Sequence, residues 1–322
     1  MILARESMPS VSRDKPRFLS HLESKKDNLL VRSGILRLIR AFFHAEGFVE
    51  VETPLLLSTV APEEYIEPFA VEGRYLAASP ELQMKQLVSA GWDKLFQIAH
   101  SFRKGEKGRL HNPEFIILEW YRLAKDLEEL MEDMEQLFLF VAKGLGRKAE
   151  ISFGRVKVDL SPPWERVSVT DAFLQFAGWD PVAEFDQARF DVDLVTKIEP
   201  RLGFEKPIFL HSYPAAAASL AALCPDRPET AMRVELYVAG LELANGFFEL
   251  RDPAEQRERF EKARERIRES GRIPPPLSEE FISCLEHMPP CAGAALGVDR
   301  MVMLFCNASS MNEVMAFDWE EC

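Results

Sequence analysis

Residues 101–115 read SFRKGEKGRLHNPEF and join two apolar segments, residues 95–102 and 114–121, that we predict to form strands. The loop contains four permanent cations and one histidine. A solvated hairpin tip would account for so polar a stretch. A clamp for a polyphosphate would account for it equally well, because arginine offers charged, bidentate donors to phosphate oxygens and Phe115 offers a flat surface to a base.

Residues 293–304 read GAALGVDRMVML and predict a strand that leads into an apolar helix. The glycines permit the backbone to approach a ligand closely. Arg300 would lie in the first turn of the helix, where the helix dipole disfavours a cation. This placement indicates either a surface ion pair with Asp299 or a functional role for the arginine.

Residues 242–250, ELANGFFEL, contain two carboxylates and an amide among apolar side chains. A carboxylate in apolar surroundings needs a partner. Glu242 and Glu249 are therefore either acids at a strand edge or ligands of a phosphate-bridging metal ion or an ammonium group.

Residues 79–85, SPELQMK, predict the start of a helix, with Ser79 as the N-cap and Pro80 at the first helical position. Glu81 would then lie in the first turn. It either interacts with the helix dipole or recognises a cationic substrate.

The remaining segments mix helices and strands without the regular alternation of a doubly wound fold. Apolar periodicity predicts helices over residues 31–46, 127–141 and 251–270, and strands over residues 48–52, 233–241 and 245–250. The sequence contains no G-x-G-x-x-G or G-x-x-x-x-G-K-[ST] loop. We therefore expect neither a Rossmann fold nor a P-loop to hold a nucleotide.

The chain has 322 residues and a formal charge of −13, and this acid excess argues against a broad nucleic-acid-binding face. Its apolar segments are too short to span a membrane, and residues 1–16 contain no signal-peptide core. The five cysteines form no C-x-x-C pair, and no histidine has an evident serine or cysteine partner. We expect reduced thiols in the cytosol, no zinc site and no covalent nucleophile.

Together these segments resemble the catalytic domain of the class II aminoacyl-tRNA synthetases. Residues 48–57, 102–119 and 293–304 are similar to its motifs 1, 2 and 3. The similarity to the lysyl-tRNA synthetase subgroup lies in residues 79–82, 111–115, 213–215 and 245–247. The similarity runs from about residue 18 to the end, and it implies an α+β fold in which an antiparallel sheet is flanked by helices.

About 25 residues precede the first predicted core helix, where a lysyl-tRNA synthetase carries an anticodon-binding OB domain. The chain thus resembles the stand-alone paralogues of that enzyme, the elongation factor P–(R)-β-lysine ligases. A second similarity to these ligases lies in residues 119–122, 242–247 and 295–300. The resemblance implies a single catalytic domain over residues 1–322 without an anticodon-binding domain. Within it we expect an N-terminal arm (residues 1–20) and a mainly helical insertion (about residues 125–205) between motifs 2 and 3.

The resemblance also implies an ATP site, with Arg103 and Arg300 as catalytic residues. Arg103 would hold the α-phosphate, Arg109 and His111 the β- and γ-phosphates, and Phe115 and Arg300 would enclose the adenine. The implied ATP-binding residues are Arg103, Lys104, Gly105, Glu106, Arg109, His111, Asn112, Phe115, Glu242, Leu243, Gly297 and Arg300.

An amino-acid pocket and a Mg²⁺ site are implied in the same way. The implied pocket residues are Ser79, Pro80, Glu81, Tyr121, Asn245, Glu249 and Ala295. The implied Mg²⁺ ligands are Glu242 and Glu249. Glu249 therefore carries two alternative roles, as a ligand of the metal and as a ligand of a substrate ammonium group.

The sequence departs from the family pattern at two points. Lys104 and Gly105 replace an Asn-Glu pair whose glutamate helps to recognise adenine, and Glu106 is a candidate substitute. Ala295 stands where lysyl-tRNA synthetases generally have glycine. Its methyl group would crowd the α-amino position and favour a substrate whose amine is on the β-carbon.

The function implied is an AMP-forming ligase that activates (R)-β-lysine, or lysine, and transfers it to the ε-amine of a lysine on elongation factor P. Two alternatives stay open: a truncated synthetase that charges tRNA or another acceptor, and a non-catalytic synthetase-like regulator. From the resemblance we expect a homodimer built on motif 1 and no tRNA substrate. From the cysteines and the short apolar segments we expect a cytoplasmic location and no membrane partner.

Overall fold

The computed structural model describes residues 16–321. The helices of this part of the chain are α1 (Arg17–Ser24), α2 (Lys26–Ala45), α3 (Glu81–Ser89), α4 (Glu128–Gly144), α5 (Val169–Phe176), α6 (Gln187–Asp193), α7 (Pro253–Glu269), α8 (Glu279–Cys284) and α9 (Val298–Cys306). Its strands are β1 (Val49–Glu50), β2 (Leu56–Leu57), β3 (Ala70–Val71), β4 (Arg74–Leu76), β5 (Lys94–Phe102), β6 (Glu114–Leu123), β7 (Glu150–Phe153), β8 (Val156–Asp159), β9 (Glu165–Ser168), β10 (Ile208–Pro214), β11 (Leu223–Cys224), β12 (Arg227–Val238), β13 (Leu241–Phe248) and β14 (Cys291–Gly297).

A large sheet organises the fold, with strand order β1-β5-β6-β14-β13-β12-β10-β9 and with β11 beside β12. All pairings from β5 through to β10 are antiparallel, and only the outermost pairs, β1 with β5 and β9 with β10, are parallel. The predicted α+β fold, an antiparallel sheet flanked by helices, is confirmed. The strand that ends in residues 293–297 lies at the centre of the sheet, so the segment that it carries is fixed on both sides.

Helices α2, α4 and α9 cover one face of the sheet. Their apolar stripes bury Phe43, Phe138 and Met301 completely, together with Trp120 of β6. Each such side chain contributes roughly 1.5–3 kcal/mol through the removal of apolar surface from water. The opposite face of the central strands is only partly covered, by α3 and α8 at one end, and this leaves room for a cleft.

The predicted helices over residues 31–46, 127–141 and 251–270 are confirmed as α2, α4 and α7. The strand predicted over residues 48–52 is shorter, because only Val49 and Glu50 pair with β5. The turn between the strands predicted over residues 233–241 and 245–250 lies earlier than expected, at Ala239 and Gly240. Their φ angles of 52° and 77° form a two-residue turn.

Three further predictions about organisation can be compared with the structure. The predicted N-terminal arm falls largely outside the described residues, and residues 17–20 lie in α1. Residues 125–205 hold α4, α5 and α6 together with the hairpin β7–β8 and strand β9. Among residues 16–321, no helix is both long and apolar enough to cross a membrane.

The start of α3 differs from the prediction. The helix begins at Glu81, Pro80 is the capping residue, and no side chain caps it. The prediction of Ser79 as N-cap is therefore wrong. Its side chain lies instead in the wall of the cleft described below.

Candidate active site

An open cleft of about 920 Å³ lies on the uncovered face of the central strands. Strands β6, β13 and β14 form its floor, and the loop between β5 and β6 forms one wall. All of the predicted site residues line this cleft except Pro80, Lys104, Gly105 and Arg109. The structure thus brings together segments that are more than two hundred residues apart in the sequence.

Sheet register fixes the residues on the floor. Ala295 of β14 lies between Glu119 of β6 and Asn245 of β13. Because side chains alternate between the two faces of a strand, Gly293 and Tyr121 belong to the same face as Ala295. A Cβ atom at Gly293 would lie 2.2 Å from the ring of Tyr121, so this position requires glycine.

A buried charge cluster occupies one end of the cleft. Lys85 Nζ lies 2.6 Å from Glu81 Oε1 and 2.5 Å from Glu249 Oε2. Lys85 and Glu249 are each 1% exposed. Burial alone would lower the pKa of Lys85, but the carboxylates of Glu249 and Glu81 raise it above its ordinary value, which keeps the lysine charged.

Glu119 and Tyr121 extend this cluster along β6. The Tyr121 hydroxyl donates a hydrogen bond to Glu119 Oε2 at 3.2 Å. Burial raises the pKa of both groups. In addition, Glu249 Oε1 is buried without a hydrogen-bond partner among residues 16–321, so a donor from a ligand can satisfy it.

Arg103 dominates the other end of the cleft. Its backbone N–H donates to Pro113 O at 2.9 Å, which closes the base of the loop. The guanidinium carbon lies 5.1 Å from the centroid of the Phe115 ring, and Nη1 lies 3.8 Å from Glu106 Oε1. Arg103 Nε is buried without a partner among the described residues. A guanidinium with so few protein contacts is available to an anion.

Arg300 lies nearby, at the start of α9. Its Nη1 donates to the Glu242 carbonyl oxygen at 2.7 Å and lies 3.5 Å from Glu242 Oε2. Its Nη2 lies 2.8 Å from His111 Nε2, a contact that requires this nitrogen to be unprotonated. Burial and the neighbouring Arg300 both lower the pKa of His111, in agreement with a neutral ring.

Asn112 lines the cleft, but both ends of its amide have protein partners. Nδ2 donates to Glu114 O at 2.6 Å, and Oδ1 accepts from the backbone N–H of Trp319 at 3.0 Å. The Trp319 ring also lies 4.9 Å from Lys107 Nζ. The C-terminal residues therefore brace the loop that carries Arg103.

The four predicted residues outside the cleft have other roles in the structure. Lys104 pairs with Glu67, and Arg109 donates to the Ser309 carbonyl oxygen at 2.8 Å. Gly105 has a φ of 83° and forms a turn that favours glycine. Pro80, as the cap of α3, positions Glu81 rather than lining the pocket itself.

Of the two predicted Mg²⁺ ligands, Glu242 lies near the start of β13 and Glu249 directly follows its end. A separation of seven residues places their Cα atoms about 23 Å apart at a rise of ~3.3 Å per residue, so they bind different groups. Glu249 is paired with Lys85, which favours its role in the amino-acid pocket.

No group of three or more His, Cys, Asp or Glu side chains within residues 16–321 could hold a metal ion. A single carboxylate such as Glu242 is compatible with Mg²⁺, because this ion is commonly bound by one or two carboxylates together with substrate phosphates.

Lys85 and Arg233 are among the residues at the site that were not predicted. Lys85 lies one helical turn after Glu81, and the i,i+4 spacing was a usable signal. Arg233 of β12 donates from Nε to Asn245 Oδ1 at 3.3 Å and from Nη1 to Ala217 O at 2.8 Å. This contact leaves the Asn245 NH₂ group free for a ligand.

Comparison with known proteins agrees with the geometry. The family described as tRNA synthetases class II (D, K and N) matches residues 12–320. An elongation factor P–(R)-β-lysine ligase from Hamiltonella defensa is 33% identical, with 91% of this chain and 95% of the relative covered. Ligases of the same name from Edwardsiella ictaluri and Photorhabdus laumondii are 37% and 38% identical, each with 90% of this chain and 94% of the relative covered. The chain therefore belongs to the class II tRNA synthetase family of the D, K and N type, and within it to the family of the elongation factor P–(R)-β-lysine ligases.

Proposed function

We propose that this protein is an ATP-dependent ligase that activates (R)-β-lysine as an adenylate and transfers it to the ε-amine of a lysine on elongation factor P. One observation carries the proposal. An arginine with few protein contacts, Arg103, and a buried carboxylate cluster around Glu249 lie at the two ends of one cleft. The arginine suits a phosphate, and the carboxylates suit an ammonium group.

Charge favours a diamino acid in the carboxylate cluster. Lys85 balances the charge of one of the two carboxylates that it contacts, Glu81 and Glu249, and burial raises the pKa of Glu249 to about 8, so a second cation is needed to keep both carboxylates ionised at neutral pH. Lysine and β-lysine each carry two ammonium groups and one carboxylate, and therefore one net positive charge. A neutral amino acid would leave a buried carboxylate without compensation, which is costly.

Adenylation itself needs no nucleophile from the protein. The substrate carboxylate attacks the α-phosphorus, pyrophosphate leaves, and the enzyme contributes positioning and stabilisation of the developing charge. Arg103 would stabilise that charge. Glu242 would hold Mg²⁺, which supplies further positive charge to the phosphates when it is bound.

The Ala295 methyl group bears on the choice between the lysine isomers. It lies on the floor of the cleft between Glu119 and Asn245. Removal of one methyl from a pocket changes discrimination by about 1–3 kcal/mol. We expect Ala295→Gly to raise the ratio of kcat/KM for α-lysine over (R)-β-lysine at least tenfold, as measured by ATP–pyrophosphate exchange.

Ala292→Gly is the matched control for this prediction, because Ala292 lies on the same strand and is buried outside the cleft. This control introduces glycine into the same strand at the same conformational-entropy cost, but it is expected to leave the ratio of kcat/KM for the two lysine isomers unchanged. A ratio that is equal in wild type and Ala295→Gly would contradict the prediction.

The proposed function is tested by mass spectrometry of elongation factor P after incubation with the protein, ATP and each lysine isomer. We expect one lysyl mass increment, larger in yield with (R)-β-lysine. A parallel incubation with tRNA tests the truncated-synthetase alternative. Charged tRNA and unmodified elongation factor P would overturn the proposal in favour of that alternative, and absence of pyrophosphate exchange with any isomer would favour a regulator.

We also propose a homodimer and a cytoplasmic location. The segment that resembles motif 1 exposes Val49, Leu55 and Leu56 to 40–45%, an apolar surface that a second copy would cover. Among the described residues, Cys224, Cys284, Cys291 and Cys306 are free thiols, as is usual in a reducing compartment.

A further inference from the structure

Glu63 lines the cleft and has no assigned role. Its carboxylate has no ion pair and no hydrogen bond within residues 16–321. Three other carboxylates of the cleft have ion pairs, Glu81 and Glu249 with Lys85 and Glu242 with Arg300. Glu119 accepts a hydrogen bond from Tyr121. Within the described chain, both oxygens of Glu63 therefore remain available to a ligand.

The segment that carries Glu63 is anchored on both sides. The Lys104 N–H donates to Glu67 O at 2.8 Å, and this contact joins the segment to the loop that carries Arg103. On the other side, Arg272 donates to the Glu64 carbonyl oxygen. The backbone on either side of Glu63 thus has a fixed position in the wall of the cleft.

Glu63 shares the cleft with both groups that the reaction brings together. It lines the same cleft as Arg103, which is proposed to hold the α-phosphate, and Glu81 of the amino-acid end, and its segment is joined to the loop of Arg103. Arg103 is also the cation, and Glu81 the anion, that acts on it most strongly. An aminoacyl-adenylate that spans the two ends would have its carbonyl group in this part of the cleft.

The second half of the proposed reaction needs a base. The ε-amine of an unperturbed lysine has a pKa of about 10.4, so that roughly one molecule in 2,500 is neutral at pH 7. An ammonium group has no lone pair and cannot attack a carbonyl. The transfer step therefore requires removal of a proton near the adenylate.

We propose that Glu63 is the group that removes this proton, an inference that rests on the proposed function. The N–H bond of the acceptor ammonium breaks and the proton passes to the Glu63 carboxylate. The freed nitrogen lone pair forms the C–N bond at the acyl carbon, and the C–O bond to AMP breaks with its electron pair on the departing phosphate. The extra proton left on nitrogen passes to that phosphate, which gives a neutral amide and AMP.

The acid–base properties of Glu63 suit this task. Burial in the cleft raises the pKa of Glu63 to about 7, although Arg103 acts in the opposite direction. A general base works best when its pKa lies near the working pH. Because the carboxylate form accumulates as the pH rises through 7, the transfer rate of the wild type should rise across that range and then level off.

The test compares two acceptors in single turnovers from preformed β-lysyl-adenylate. Glu63→Gln is expected to slow transfer to elongation factor P about a hundredfold at pH 7, within the usual range for loss of a general base. It is also expected to remove the plateau, so that the rate keeps rising with the neutral fraction of the acceptor amine toward its pKa of about 10.4. Hydroxylamine is a neutral nucleophile at pH 7 and needs no deprotonation before attack. Formation of the β-lysyl hydroxamate is therefore expected to change less than threefold.

Glu64→Gln is the matched control, because its carboxylate is already paired with Arg266 at 3.3 Å. It should transfer to elongation factor P at close to the wild-type rate. Equal slowing of both acceptors by Glu63→Gln, or no slowing of either, would overturn the inference. Absence of transfer by the wild type would instead overturn the proposed function, so the two failures are distinguishable.

Discussion

Replacement of Arg103 by methionine should lower the rate of ATP–pyrophosphate exchange about a thousandfold. A single preorganised donor to developing charge is worth roughly 10²–10³ in rate, and a guanidinium adds a full positive charge to its hydrogen bonds. Stability should change little, because within residues 16–321 the Arg103 side chain makes only a long 3.8 Å contact with Glu106 and a ring contact with Phe115. The measurement is exchange at saturating substrates, with thermal unfolding of both proteins.

Arg166→Met is the control for this substitution, since Arg166 pairs with Glu128 at 2.8 Å outside the cleft. It should keep full exchange activity. Arg103→Lys should be faster than Arg103→Met but slower than the wild type, because lysine keeps the positive charge but cannot form bidentate hydrogen bonds. An exchange rate within tenfold of the wild type in Arg103→Met would show that another group stabilises the α-phosphate.

Replacement of Lys85 by methionine should destabilise the folded state by about 3–5 kcal/mol. Removal of one partner of a buried ion pair leaves the other charge without compensation, and here two carboxylates, Glu81 and Glu249, lose the same cation. Methionine has a similar length, so that the lost charge rather than a cavity causes the effect. Urea unfolding at neutral pH measures the change.

The chain contains a closely matched surface pair for comparison. Lys262 and Glu258 of α7 have the same i,i+4 spacing and the same 2.6 Å separation as Lys85 and Glu81, but both are 65% exposed. Lys262→Met should cost less than about 0.5 kcal/mol, as is usual for exposed helical pairs. If the two substitutions had equal cost, burial would not be the source of the stability of the Lys85 cluster.

The sequence was informative where function depends on residues close together in the chain. Arg103 and Phe115 lie in one loop between two recognisable strands, and Arg300 follows a glycine-containing strand, so local pattern was sufficient to place them. The α+β fold followed from the same segments. These positions are set by short connections, whose geometry a sequence motif largely determines.

Other features depended on contacts between distant segments and could not be predicted. Lys85 meets Glu249 only because α3 packs over the sheet at β5 and β6, and Glu63 shares the cleft with Arg103 because its segment is tied to the loop at Lys104. Arg109 was predicted to bind phosphate from its place in the loop. The structure directs it to Ser309, a partner two hundred residues away.

The contact between Trp319 and Asn112 links the C-terminal residues to the nucleotide loop. These residues pack at the periphery, where Trp319 remains 45% exposed and the large apolar clusters do not include it. Their loss by proteolysis would therefore release the support of the loop that carries Arg103, and loss of Glu321 would also leave the buried Lys25 without its ion-pair partner. ATP affinity and melting temperature would then fall together, so an intact mass is the appropriate measure of the quality of a preparation.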